Sequence, residues 1–412
     1  MSKNILFLTT MYPDGIRRGT KVCHYFTYEW TKMGYNVLVI NFRSMFPPIY
    51  TTVAGWFPKL AEIIVKNDVE MDRNMECIYH EEDGIPVYST PIFKYIPHGK
   101  YPKFSINKKL KEILSIMNAR HFKPDMIIGH FYNPQLDIIN RLRNYYSEAP
   151  TCVVFHETNM EIIRKNYKHS ITQLLNGIDV LGYRSYPIKD YFEAAFGKHK
   201  HFMCFSGVSR PYLTIEQTPK KSFSDGQISQ FIYVGQLIER KYPIKVVEAL
   251  HDVYLDAPYH LNYIGKHEFV YPEVKRYVDE HALNDKVTFV GQVPRDEIIR
   301  YYDQADCFIM ISKDEVFGLV YLEAMSRGCI TIASRNEGMQ GIIEDGVNGF
   351  LCEAGNGTEL ASIIKHINSL SAHEKKAISQ KARETAAHLS DYNVAKTYID
   401  AVENARNDGK EQ

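Results

Sequence analysis

DEVFGLVYLEAMSRGCITIAS, residues Asp314 to Ser334, decides how the rest of the chain is read. It sets Glu315 and Glu323 eight positions apart around Phe317-Gly318. The apolar run Cys307–Ile311 ahead of it predicts a buried strand, and Leu319, Leu322 and Met325 recur at helical spacing, which predicts a helix over Gly318–Arg327. A helix that starts at the carboxyl end of a parallel strand offers unpaired N–H groups and the positive end of its dipole, so it can hold a phosphate. Glu315 before that start and Glu323 in the second turn can accept hydrogen bonds from hydroxyls on either side of the phosphate. Hydroxyls on both sides of a phosphate point to a sugar nucleotide. For a single pair of glutamates the plain alternative is a strand–loop–helix unit with solvated side chains.

With its continuation NEGMQGIIEDGVNGFL, Asn336 to Leu351, the run resembles the signature of the retaining glycosyltransferases of family four, in the glycogen-synthase-like superfamily. Glu, seven residues, Glu, with an internal Phe-Gly-Leu, is the core of the resemblance. It implies an α/β chain of two facing Rossmann-like domains (GT-B architecture), a cleft between them, and a C-terminal helix that crosses back to the first domain.

At 412 residues, 45% apolar and 24% charged, the chain is long enough for two cores. No apolar run approaches the roughly 18 residues of a spanning helix, and NILFLTT, too soon followed by Tyr12-Pro13-Asp14-Gly15, reads as a first strand and not as a secretory signal. Cysteines at 23, 77, 152, 204, 307, 329 and 352 show no Cys-x-x-Cys spacing, so neither a disulfide framework nor a zinc site is indicated. A reducing cytoplasm is the expected location. A formal net charge of zero argues against a nucleic-acid partner. The halves differ: residues 1–205 carry 26 Lys+Arg and 19 Asp+Glu, hence +7, against 23 and 30, hence −7, for the remainder. The basic half suits an anionic partner, such as a phospholipid surface or a pyrophosphate-bearing acceptor.

Apolar runs alternating with amphipathic stretches indicate doubly wound layers. In the first half the strands are expected at Ile5–Thr9, Asn36–Asn41, Met126–Gly129, Thr151–Phe155 and Ile178–Tyr183. In the second they are expected at Gln230–Val234, His260–Ile264, Lys286–Val290, Cys307–Ile311, Ile330–Ala333 and Gly349–Leu351. Phe26, Trp30 and Met33 form an aromatic stripe that reads as core. The boundaries expected are a first domain over 1–207, a linker over 208–228, a second domain over 229–388 and the returning helix over 389–412. Residues 45–105 are the least regular part. Within them Trp56, Phe57, Leu60, Ile63 and Ile64 beside Lys59 and Lys66 suit either a membrane face or a lid packed on its own domain.

The resemblance extends to IYVGQLIERKYPIKVVEAL, Ile232 to Leu250, where a strand ends in Gly, an Arg follows, and a Lys lies five residues on; both cations neutralise the diphosphate leaving group. Gly235 and Lys241 fit, but the Arg position is Gln236, which leaves Arg240, or Arg17 or Arg18, to supply the second cation. In the turn Met11–Thr20 the family's Gly-Gly pair reads Gly19-Thr20, and the Thr20 Cβ limits how closely a phosphate approaches. His156, after the strand in VVFHETN, is implied to reach a hydroxyl of the donor sugar; His130 is a weaker candidate. Segments around Gly265, and around Gly291 to Val293, are implied to flank the nucleotide. Glu315 would contact the sugar, the N–H groups of Phe317, Gly318 and Leu319 the phosphate, and Glu323 the ribose. No Asp-x-Asp motif stands out; Asp68, Glu70 and Asp72 read as a solvated face, and neither a metal nor a cofactor is expected.

The expected activity is therefore transfer of a hexose or related sugar from a nucleoside-diphosphate sugar to a lipid-linked or oligosaccharide acceptor, with retention, in the cytoplasm or peripherally at the inner face of a membrane. A non-catalytic nucleotide-sugar-binding subunit and an epimerase of the same fold are the alternatives. A nicotinamide-dependent dehydrogenase fails for want of Gly-x-Gly-x-x-Gly after the first strand.

Overall fold

The structure, a computed structural model, describes residues 2–13, 21–47, 76–168, 170–214 and 221–407. These form two Rossmann-like units. One runs to Arg184 and adds Ile188–Cys204 and the chain from Ala395 onward; the other comprises Ser185–Pro187 and Phe205–Val394.

The first unit holds a sheet of order β3-β4-β2-β1-β5-β6-β7-β8. Its centre is β1 (Asn4–Thr9), paired in parallel with β2 (Asn36–Met45) on one side and β5 (Met126–His130) on the other. Beyond β5 follow β6 (Thr151–Phe155), β7 (Val180–Tyr183) and β8 (His201–Met203). Strands such as β5, β6 and β7 are buried at every position, as expected of parallel strands covered on both faces. Strand order reverses between β1 and β5, so the loops after these strands share one end of the sheet.

At the far edge lies an element absent from the reading of the sequence. Strands β3 (Ile78–Glu82) and β4 (Ile85–Phe93) form an antiparallel hairpin whose β4 runs parallel to β2. Asp83 and Gly84 close it with φ of 51° and 79°, the positive values that a two-residue turn of this hand requires. The expectation of irregular structure across 45–105 is thus corrected for its described part. The segment Val53–Lys66 lies outside the described residues.

A helix over Asp391–Glu403 carries the chain back to the first unit, where the Trp30 indole donates to the Ala395 carbonyl at 2.8 Å. The Tyr398 ring stands edge-on to Trp30 at 4.9 Å and to Phe26 at 5.3 Å, so these two residues of the stripe are core, while Met33 is half-buried.

The second unit holds an all-parallel sheet of order β11-β10-β9-β12-β13-β14. Its strands are β9 (Gln230–Val234), β10 (His260–Ile264), β11 (Val287–Gly291), β12 (Cys307–Ile309), β13 (Ile330–Ser334) and β14 (Phe350–Cys352). Here the reversal falls between β9 and β12, the position where open α/β sheets take ligands. Over its described residues the expected linker packs within this unit. Val208 N–H donates to the Leu389 carbonyl at 2.8 Å and Asp391 N–H to the Val208 carbonyl at 3.0 Å. A Cβ on Gly207 would lie 2.4 Å from the Asp391 Cα, so the two chain segments touch there.

All seven cysteines are free thiols, and all but Cys77 are buried. Among the described residues no helix is long and apolar enough to cross a membrane.

Candidate functional site

Beyond β12 the chain continues through Met310, Ile311 and Ser312 to the loop that carries Glu315. Tyr321 staples this loop to the following helix: its hydroxyl donates to the Met310 carbonyl at 2.8 Å and meets Ser312 Oγ at 3.0 Å. The helix spans Leu319–Ser326, with Gly318 as its N-cap at φ 80°. Only glycine fits there, since a Cβ would lie 2.3 Å from the Tyr321 ring. Of the expected stripe Leu322 and Met325 are buried and Leu319 is half-buried, but every residue from Tyr321 to Ser326 is buried, so beyond its first two residues this helix is core on all sides and not amphipathic. Gly338 presses on the Phe317 backbone, where a Cβ would come within 2.5 Å of Cα. The Phe317 ring is buried and stacks on Phe205 at 5.7 Å.

Glu315 is the meeting point. Its Oε2 lies 3.7 Å from Arg240 Nη1 and 3.7 Å from Lys241 Nζ. Its backbone N–H donates to Glu337 Oε2 at 2.7 Å. The cations come from the turn Glu239–Lys241 that precedes the helix Pro243–Tyr254. Arg240 also donates to the Lys313 carbonyl at 3.1 Å, which ties that turn to the Glu315 loop. Burial holds the Lys241 ammonium below its ordinary value, with the Glu315 carboxylate opposing that drop. Burial likewise raises the Glu337 carboxyl, against the Glu315 N–H. A Cβ on Gly235 would lie 3.2 Å from Lys241 Nζ, so the glycine leaves room for the ammonium.

Beside this cluster a pocket of about 270 Å³ is lined by Gly235, Gln236, Gly265, Gln292, Val293 and Ile298, among others. Gly265, at φ 147°, stacks its backbone so tightly on Gly235 that a Cβ would fall 2.0 Å from the Gly235 carbonyl oxygen. Its N–H donates to the Gly291 carbonyl at 2.9 Å, which fixes the loop end of β10 against that of β11. Glu323, in the second turn of the helix Leu319–Ser326, is buried, with Arg295 Nη2 2.6 Å from its Oε1.

The family described as glycosyl transferases group 1 matches residues 214–385, which hold all of these residues except Phe205. An uncharacterized glycosyltransferase of Methanocaldococcus jannaschii is 23% identical over 369 residues, covering 85% of this chain and 95% of its own. The second unit carries a glycosyl transferases group 1 domain, and the enzyme class this supports is glycosyltransferase. Solved structures agree on the fold. A glycosyltransferase from Rickettsia africae superposes with a TM-score of 0.70 at 18% identity over 100% of both chains. The Anabaena protein HepE, solved in complex with UDP and glucose, gives 0.62 at 16% identity, covering 98% of this chain and 100% of its own.

The structure thus brings Gly235, Arg240, Lys241 and Glu315 of the glycosyltransferase together, and sets Gln236, Gly265 and Val293 around the adjoining pocket. Gly19 and Thr20, with Arg17 and Arg18, lie outside the described residues. In the first unit of the glycosyltransferase His156 follows β6 directly and its Nε2 lies 3.0 Å from His130 Nδ1. The His156 ring stacks on Phe131 at 4.1 Å. Burial pushes both histidines well below their ordinary value, with the Arg184 charge acting the same way, so both are neutral at pH 7. Glu337 and Arg295 were missed in the sequence. Both stand inside the matched segments, but nothing local marks them as partners of Glu315 and Glu323.

Proposed function

We propose that the protein transfers a hexosyl group, with retention and without a metal ion, from a nucleoside-diphosphate sugar to a hydroxyl of a lipid-linked or oligosaccharide acceptor. The observation that carries this is the convergence of Arg240 and Lys241 on one carboxylate, Glu315, at the switch point of the second sheet. Two cations against one carboxylate leave a net positive charge, which suits a departing diphosphate. Charge that develops only in the transition state is where fixed cations accelerate a reaction most. In this reading Arg240 supplies what Gln236 lacks, and Glu315 orients the ammonium and accepts from sugar hydroxyls. The N–H groups of Gly318 and Leu319 take phosphate oxygens, and Glu323 takes the ribose. The bond from the anomeric carbon to the diphosphate oxygen breaks, the acceptor oxygen bonds to that carbon on the same face, and the diphosphate takes the acceptor's proton.

A contact with an anionic membrane surface belongs to the same proposal. Tyr95, Ile96 and Phe104 are exposed, the two rings lie 6.4 Å apart, and Lys103 stands beside them in the net-positive first half. Apolar side chains beside lysine suit an interface with anionic lipid.

The test is release of nucleoside diphosphate from a panel of nucleotide sugars, with and without EDTA. Release that persists in EDTA and is lost in Lys241→Ala supports the reading. Tight donor binding with no release across acceptors would instead identify a non-catalytic binding subunit.

A further inference from the structure

Where the hairpin of β3 and β4 turns, Glu82 and Asp83 meet a histidine of the helix Val22–Lys32. One ligand atom each from His24, Glu82 and Asp83 lies within 4.8 Å of the others, although His24 stands 59 positions before Asp83. The His24 side chain is buried, while those of Glu82 and Asp83 are 23% and 55% exposed. An imidazole therefore looks out of the core at two carboxylates that solvent reaches.

The hydrogen bonds behind the ring decide which nitrogen carries its proton. Thr27 Oγ1 donates to the His24 carbonyl at 2.9 Å, and a carbonyl only accepts. With its one proton in use, Thr27 Oγ1 accepts from the Tyr12 hydroxyl at 2.7 Å. Tyr12 then has no proton for His24 Nδ1, 3.1 Å away, so Nδ1–H donates to the Tyr12 oxygen. In the neutral ring this leaves the lone pair on Nε2, 2.8 Å from Asp83 Oδ2. Two acceptors face each other at hydrogen-bond distance, and only a positive group between them relieves that. A proton does so for Asp83 alone. A metal ion does so for Asp83 and Glu82 together.

We propose that His24, Glu82 and Asp83 form a binding site for a divalent transition-metal ion, best fitted by Zn²⁺, which clasps the hairpin to the helix. The site lies in the first unit and holds no residue given a role in the transfer reaction. The donor set selects the metal. Mg²⁺ and Ca²⁺ take oxygen ligands, whereas an imidazole nitrogen beside carboxylates suits Zn²⁺, and three protein ligands with a fourth position left for water are a common zinc arrangement. The Tyr12 hydroxyl fixes the tautomer from behind, as the outer partners of ligating histidines do, and the Tyr12 ring stands edge-on to the imidazole at 5.6 Å. Zinc bonds of about 2.0 to 2.2 Å set ligand atoms roughly 3.4 Å apart, so the two carboxylates of the turn draw in on binding. Lys21, 3.8 Å from Glu82 and 53% exposed, gives way at little cost, since such a pair is screened by solvent.

The full chain, stripped with EDTA and dialysed, is titrated in a calorimeter with Zn²⁺, Mg²⁺ and Ca²⁺, and its melting temperature is followed with each. Zn²⁺ is expected to bind at one ion per chain and to raise the melting temperature by a few degrees, while Mg²⁺ and Ca²⁺ at the same concentration leave it unchanged. Asp83→Asn and Glu82→Gln should each weaken Zn²⁺ binding about tenfold or more, as even the loss of an outer partner does, and the double variant should abolish it. Co²⁺ in place of Zn²⁺ should give a visible absorption that the double variant lacks. His24→Gln should also lose the ion; if it fails to fold, the two variants at the exposed turn decide the matter. Absence of Zn²⁺ binding would overturn the proposal and leave a proton between Nε2 and Asp83. Zn²⁺ bound with unchanged affinity by the double variant would overturn it too, placing the ion on other side chains. None of these measurements involves a sugar nucleotide, so their outcome is separate from that of the transfer reading.

Discussion

The backbone N–H of Glu315 donates to Oε2 of Glu337 at 2.7 Å, so one glutamate holds the loop on which the other is presented. Glu337 itself is half-buried in the turn that also presses Gly338 on Phe317. The two acids therefore have different tasks: Glu337 faces backbone, and Glu315 faces cations.

Removing the Glu337 carboxylate should release the Glu315 loop. Glu337→Ala is expected to lower turnover on the order of 10²-fold, the effect of a misplaced reacting group, whereas Glu337→Gln keeps an acceptor and should lose much less. Steady-state release of nucleoside diphosphate reads this directly. Equal activity of both variants with the parent would show that the loop holds itself.

Lys241 and Arg240 stand at the same distance from Glu315 but not in the same surroundings, since their side chains are 14% and 43% exposed. Fields are stronger where water is excluded. Lys241→Ala should cost about 10² to 10³ in kcat, and Arg240→Ala clearly less, because solvent screens it. The reverse order would make Arg240 the principal cation.

Burial lowers the Lys241 pKa from its ordinary 10.5, and a bound diphosphate needs the charged form. Donor affinity should therefore fall as pH rises through that lowered value, approaching tenfold per pH unit, while Lys241→Arg stays flat. Stability moves the other way. The unfolded chain holds this proton more tightly, so the contribution of Lys241 to stability rises with pH between the folded and unfolded values. Isothermal titration and chemical denaturation of the protein and of Lys241→Met across the alkaline range separate the two effects.

Gly318→Ala combines a left-handed backbone, φ 80°, with a Cβ placed 2.3 Å from the Tyr321 ring. The backbone term alone is about 1 to 2 kcal/mol, and the displaced ring adds to it. A lower melting temperature together with weaker donor binding is expected, since the helix start itself must shift. Unchanged values for both would mean that Tyr321 moves freely, against its two hydrogen bonds to the loop.

The proposed membrane contact predicts that the protein co-sediments with phosphatidylglycerol vesicles at low salt, and less so as salt rises. A Tyr95→Ser and Phe104→Ser double variant should remain in the supernatant. If it still sediments, the contact lies elsewhere on the first unit.

The layers of this fold were legible because strands such as Thr151–Phe155 are buried on both faces and so write themselves as unbroken apolar runs. The hairpin was not. Strand β3 alternates burial at a sheet edge, and β4 contains Pro86 and Pro91, residues that argue against a strand when read alone. In the site, Glu315, Gly318 and Lys241 could be read because the features that mark them are local: a strand end, a helix start, a glycine. The partners of the glutamates could not. Glu337 lies 22 residues from Glu315 and Arg295 lies 28 from Glu323, brought there by sheet order, which local pattern does not encode.

Apart from Ser185–Pro187, the second unit is one continuous stretch, Phe205–Val394, set into the chain of the first. Its two ends leave side by side, where Val208 bonds to Leu389 and Asp391. It behaves, for recombination, as a cassette with paired ends. A chimaera that exchanges donor specificity needs two junctions, one on each flank. A single cut near Phe205 would strand the first unit without its last helix and leave Trp30 and Phe26 without the Tyr398 ring that covers them.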